Sequence, residues 1–250
     1  MLPLRAVQPS SRTPVVTFTL IAVCILVFVA WQPRDPPAQQ EFFLERAAIP
    51  CELTQGAPLT LGEAFTGDCE RGVGGPGGTE LFPEKNVWTA VGTSLFLHGD
   101  LWHLLGNMLF LWVFGRNVED RVGPFWFLVT YLLFGSAAQL AHVAFNVDST
   151  IPVIGASGAI AGIMGMYLVL WPRARILTLV GWIVIPVPAW LVLGAWIVLQ
   201  FLTDPNSGVA YVAHIGGFFA GIAVGLVVRS VTPPPFDPAR ARAPEPYDFD

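Results

Sequence analysis

The sequence predicts an all-α polytopic membrane protein, a bundle of six transmembrane helices with a long exported loop between the first two. Three observations predict it. The 250 residues are 54% hydrophobic and only 12% charged, about half the charge of an ordinary soluble domain. Six stretches have the length and polarity of membrane helices, which need about 20 apolar residues each. Basic residues fall in alternate connections between those stretches, as the positive-inside rule requires.

The first span is Val15–Trp31. Arg5 and Arg12 precede it as in a signal peptide, but no small-x-small cleavage site follows, so it reads as a retained anchor. The second is Leu101–Phe114, with an apolar lead-in from Val87 to Gly99. The third is Phe125–Phe145, opened by Pro124 at a first helical position. The fourth runs from Ile154 to Trp171 and is stopped by Pro172. The fifth lies within Ile176–Leu202, which carries no charge; Pro186 and Pro188 predict a loop first and a span beginning near Pro188. The sixth is Gly208–Val228.

Charge orients these spans. Arg116 and Arg121 lie between spans two and three, Arg173 and Arg175 between four and five, and Arg229, Arg240 and Arg242 after six. The three-to-four and five-to-six connections hold no Lys or Arg. The long first loop holds four basic and nine acidic residues. Both termini are thus expected in the cytoplasm. The expected organisation is a cytoplasmic N-terminus over 1–13, a membrane domain over 14–229 with an exported loop at about 32–93, and a disordered cytoplasmic tail over 230–250, rich in Pro and polar residues. No basic stripe suggests nucleic acid as a partner. The lipid bilayer is the expected surrounding. Cys24 reads as a small apolar residue of the first span. Cys51 and Cys69 share the exported loop, where they form either a disulfide or two free thiols.

Polar side chains inside membrane spans are costly and often functional. No span carries a charge, and the polar groups that stand out are His103, Asn107, His142, Ser157 and His214. The orientation puts His103, Asn107, Ser157 and His214 in the outer half of the bilayer, on three different helices. His103 and Asn107 are four apart and share a helix face. Ser157 opens a helix in the small-residue run Gly155-Ala156-Ser157-Gly158, where free backbone N–H groups favour a developing negative charge. A packing serine bonded to a carbonyl is the competing reading. His214 leads into Gly217, Gly221 and Gly225, a stripe able to nest against the small face of the fourth span. Acyl transfer fits this set. A histidine takes the proton of a serine, and N–H donors hold the oxyanion. No acidic residue is available in the spans to orient His214, so the pair is a dyad. His142 reads as a packed, hydrogen-bonded histidine, and Tyr167, Trp171, Trp182 and Trp190 as interface anchors or lipid-facing residues.

These residues resemble the motifs of the rhomboid intramembrane proteases. His98-Gly-Asp-Leu-Trp-His103-Leu-Leu-Gly-Asn107 is similar to the family's His-x4-His-x3-Asn, Gly155-Ala156-Ser157-Gly158 to its Gly-x-Ser-Gly, and Ala213-His214-x-x-Gly217-x3-Gly221 to its last-helix motif. Gly115-Arg-Asn-Val-Glu119 is similar to its Gly-x3-Glu turn. The resemblance covers roughly Phe96 to Gly225. It implies Ser157 as nucleophile, His214 as general base, and His103 and Asn107 with the Ser157 N–H as the oxyanion hole. His98 and Glu119 would be structural. It further implies transmembrane protein substrates cut near the outer face, no metal or organic cofactor, and a compact bacterial type in the plasma membrane. Two positions depart from the pattern. Ala161 stands where some members stack an aromatic on the histidine, and Trp88 is followed by Thr89 where some have Arg. The alternatives are an inactive rhomboid-like protein that binds transmembrane helices without cutting, and a small transporter. The presence of both Ser157 and His214 weighs against the first, and the lack of an internal repeat against the second.

Overall fold

The structure is a computed structural model that describes residues 2–7, 12–69, 78–204 and 208–232. The tail expected over 230–250 lies outside the described residues from 233 onward.

The first helix, α1 (Val15–Leu26), continues through a π turn to Trp31. Its N-terminal N–H groups are not left to water. The carboxylate of Glu119 accepts from Val16 N at 2.8 Å, Thr17 N at 2.7 Å and Thr17 Oγ1 at 2.7 Å. A buried anion at a helix N-terminus satisfies orphan donors and opposes the dipole. Glu119 belongs to α7 (Arg116–Val122), which extends α6 (Leu101–Phe110) through a second π turn, so one carboxylate fixes where α1 meets the second long helix.

Between them, the described residues of 32–93 (32–69 and 78–93) build a small cap. It holds α2 (Pro36–Arg46), α3 (Pro50–Gln55) and α4 (Leu61–Thr66), and α5 (Val87–Ser94) closes it. Cys51 and Cys69 are joined as a disulfide with Cα atoms 5.9 Å apart. Lys85 and Glu52 form a buried ion pair at 2.5 Å, and Lys85 Nζ also donates to the Leu44 carbonyl at 2.6 Å. Burial pushes the Glu52 carboxyl above and the Lys85 ammonium below their ordinary ranges, and the opposite charge pulls each back.

Three helices make the core: α8 (Pro124–Phe145), α9 (Ser157–Leu170) and α11 (Tyr211–Val231). α9 is the centre, with eleven of its fourteen residues buried. Its contact with α11 is backbone to backbone. A methyl group at Gly217 would overlap the Gly158 carbonyl oxygen, and one at Gly221 the Gly162 carbonyl oxygen. A methyl group at Gly225 would stand 3.1 Å from Met166 Cα. Small residues at spacing four make this approach possible. By contrast, α10 (Ala189–Phe201) buries only Ala189, Val192, Leu193 and Gln200. By length and composition, α8 and α11 are long and apolar enough to cross a membrane, and α1 with its π turn, α9 and α10 are shorter apolar helices.

Two expectations are corrected. The protein is not all-α: β1 (Leu2–Ala6), β2 (Arg175–Val180) and β3 (Ile183–Pro188) form an antiparallel sheet in that order. The charge-free run after Arg175 is rich in β-branched residues, and Gly181 at φ +61 supplies the first residue of a two-residue hairpin turn. Helix α10 then begins just past Pro188. Tyr167 and Trp171 are not anchors. They are 0% and 9% exposed, packed against each other at a tilt with centroids 5.2 Å apart, and Tyr167 also meets Phe114 edge-on. Their helix is surrounded on all sides, so an aromatic near its end is core. Trp182 and Trp190 are exposed.

Candidate active site

The connection from α8 to α9 delivers the serine. Gly155 sits at φ +119, a conformation glycine tolerates best. A Cβ there would also stand 2.7 Å from His103 Nε2. The Gly155 N–H donates to the Ser94 carbonyl at 2.9 Å, while Ser94 Oγ accepts from Ala48 N at 2.7 Å. The cap and the turn before the serine are therefore stitched through one buried residue. Ser157 is the first residue of α9, and its Oγ lies 2.8 Å from His214 Nε2 on the first turn of α11.

His103 comes from α6. Asp100 caps that helix, accepting from Trp102 N at 2.7 Å and His103 N at 2.9 Å. Gly99 N donates to His103 Nδ1 at 3.3 Å. A neutral imidazole that accepts at Nδ1 carries its proton on Nε2, the nitrogen beside Gly155. Asn107, one turn on, is buried, and its Nδ2 has no hydrogen-bond partner among the described residues. His98 packs edge-on against the His103 ring at 5.2 Å. Its backbone exchanges two hydrogen bonds with the Gln32 amide, 3.0 Å to Oε1 and 2.7 Å from Nε2.

A cavity of about 740 Å³ opens over these groups and is lined by His103, Asn107, Ser157 and His214 together. The four residues that the sequence singled out from three helices thus share one space. His142 lines it too, with Nδ1 buried and unpartnered among the described residues, unlike the hydrogen-bonded packing histidine expected of it. The sequence reading missed two α10 side chains. Gln200 Oε1 is 2.7 Å from His214 Nδ1, and the Trp196 ring lies 5.8 Å from the imidazole. The available signal was a lone glutamine in an otherwise apolar helix, one turn from a tryptophan. No metal-ligating cluster lies at this site among the described residues. The one triad of such groups among the described residues, Cys51, Glu63 and Cys69, is in the cap and includes the disulfide.

Chemically, the arrangement offers a hydroxyl beside an imidazole, with an N–H donor and an amide across a polar cavity. That is the equipment of acyl transfer.

Comparison with known proteins agrees in kind. The rhomboid domain family model matches residues 84–231. Rhomboid protein 1, mitochondrial, of Saccharomyces cerevisiae is 33% identical over 130 residues, covering 47% of this chain and 35% of that protein. RHOMBOID-like protein 12, mitochondrial, of Arabidopsis thaliana is 36% identical over 126 residues, 43% of this chain and 36% of that protein. Rhomboid protease GluP of Bacillus subtilis is 35% identical over 118 residues, 46% of this chain and 22% of that protein. The match therefore spans about a third or less of each relative's length. Two relatives are mitochondrial and one bacterial, so similarity assigns no compartment and does not single out the bacterial type. With more than half of the chain inside the domain model and its apolar helices around a shared polar site, the chain belongs to the rhomboid family of helical integral membrane proteins, which includes intramembrane proteases.

Proposed function

We propose that this protein is an intramembrane serine endopeptidase acting on transmembrane segments of other proteins, with Ser157 as nucleophile and His214 as general base. The observation that carries the reading is the 2.8 Å contact between Ser157 Oγ and His214 Nε2 at the floor of a cavity flanked by His103 and Asn107. His214 Nε2 takes the hydroxyl proton as Oγ bonds to the substrate carbonyl carbon. The oxyanion is held by His103 Nε2–H, Asn107 Nδ2 and the Ser157 backbone N–H, each such donor being worth about 3 kcal/mol. Collapse breaks the C–N bond, and His214 returns the proton to the leaving amine. Water then cleaves the acyl-serine with the same base, which releases the acid and restores the hydroxyl. No cofactor enters these steps.

The six-span topology of the sequence belongs to the same proposal, with both termini cytoplasmic, the cap over residues 32–93 exported and the site towards the outer face. The open cavity supplies the water that hydrolysis at membrane depth requires. A substrate helix would enter beside α10, which buries four of its thirteen residues against eleven of fourteen in α9.

The test is cleavage of a transmembrane model substrate in proteoliposomes by the intact protein, Ser157→Ala and His214→Ala. Cleavage lost in both folded variants is expected. Cleavage retained by Ser157→Ala would end the reading. An inactive helix-binding protein is the alternative, and it predicts neither cleavage nor labelling of Ser157 by a fluorophosphonate.

A further inference from the structure

A histidine that acts as base through Nε2 must keep its other proton on Nδ1. In a dyad without a carboxylate, something else has to hold that tautomer and that ring angle. Neither α9 nor α10 carries Asp, Glu, Lys or Arg, and the acidic residues of the flanking connections, Asp148 and Asp204, are exposed. The ionisable side chains that act on His214 from neighbouring helices are His103 of α6 and His142 of α8, neither of which meets Nδ1.

Nδ1 is met instead by Gln200. Its Oε1 lies 2.7 Å away, a short contact for a neutral pair. The amide orientation is not arbitrary. Gln200 Nε2 points to the Trp196 carbonyl at 3.4 Å. Turning the amide over would set Oε1 against that carbonyl and an NH2 against the imidazole, forcing the proton onto Nε2, the wrong nitrogen for a base. Gln200 is also buried on a helix that buries little else polar. One turn earlier, the Trp196 ring lies 5.8 Å from the imidazole at 40°, on a helix other than the one that bears Ala161.

We infer that Gln200 is a positioning residue for His214, fixing its Nδ1–H tautomer as the neutral third member of a Ser157–His214–Gln200 relay, with Trp196 bracing the ring. The inference rests on the serine protease reading above. It separates two functions of α10: the helix beside which substrate would enter also completes the base. Through the transition state the imidazole becomes a cation. The glutamine oxygen stabilises that cation by a dipole only, so a carboxylate at the same place would stabilise it more.

The experiment measures kcat and KM against pH in proteoliposomes, on the same model substrate, for the intact protein, Gln200→Leu, Gln200→Glu and Ser157→Ala, with thermal unfolding of each. Gln200→Leu is expected to lower kcat roughly tenfold to hundredfold with KM little changed. Gln200→Glu is expected to recover most of that rate, with the low-pH limb of the profile moved up by about one pH unit or more, since a facing carboxylate favours the protonated imidazole. A Gln200→Leu variant with the kcat and pH profile of the intact protein overturns the inference. So does equal loss in the Leu and Glu variants with lowered unfolding temperatures, which would make Gln200 a packing residue. Cleavage by Ser157→Ala would instead remove the protease reading itself, and the relay with it.

Discussion

Two sides of the histidine are built on opposite principles. Towards α9, His214 rides on a helix seated against its neighbour by main-chain atoms, with Gly217 on the Gly158 carbonyl and Gly221 on the Gly162 carbonyl. Towards α10, it is met by side chains alone, Gln200 and Trp196, on a helix that buries four of thirteen residues. The first contact has no slack, because backbone cannot change rotamer. The second can be adjusted by side-chain rotamers, without moving the main-chain seat of α11 on α9. The difference teaches where rigidity is needed. The Ser157-to-His214 distance is set by backbone packing, while the imidazole ring is met by side chains of α10.

The contrast is broken or sharpened most strongly at the glycines. Gly221→Val should abolish cleavage and lower the unfolding temperature sharply, because the Gly162 carbonyl must move with its whole helix, an overpacking cost of about 3 kcal/mol or more. If Gly221→Val cleaves normally, the two sides are not different in kind. The cap provides the next step. Lys85→Met leaves Glu52 buried without its cation and should destabilise by about 3–5 kcal/mol, seen as faster limited proteolysis of residues 32–93. Ser157 labelling by a fluorophosphonate should survive better there than in Gly221→Val, since the α9–α11 contact is untouched. Cys69→Ser opens a bond spanning 18 residues and should cost the cap about 3 kcal/mol, measured as the denaturant midpoint of its protease protection. Gly194→Ala on α10 is the smallest effect. A methyl there meets nothing within 4 Å, so stability should change by about 1 kcal/mol or less, towards the stable side, with cleavage intact.

What the sequence disclosed follows the same division. Ser157, His214, His103 and Asn107 stood out because a polar side chain is conspicuous in a charge-free span, and the glycines because their spacing is that of a helix face. Helix limits such as Pro124 and the break at Pro188 were legible from proline chemistry. The sheet was not, because an uncharged β-branched run reads the same in a hairpin as in a span until its strand partner is known, and β1 lies far away at the other end of the chain. Tyr167 and Trp171 were misread for a related reason. Aromatics near a helix end mark an interface only if one side of that helix faces outward, and α9 has no such side. Gln200 is as polar as the four side chains that stood out but sits in no motif, and its contact with His214 became visible only once α10 was placed against α11.

The main-chain seat of α11 on α9 also bears on how such a protein can diversify. The spacing between Ser157 and His214 depends on the few glycines of that seat and on the Gly155 turn, which the cap holds through Ser94. Mutational drift over the hairpin, the outer face of α10 and the cap away from Ala48 and Ser94 leaves that seat alone. On the protease reading proposed above, new substrate preferences can accumulate there one substitution at a time, each tried on a Ser157–His214 pair that is already in register.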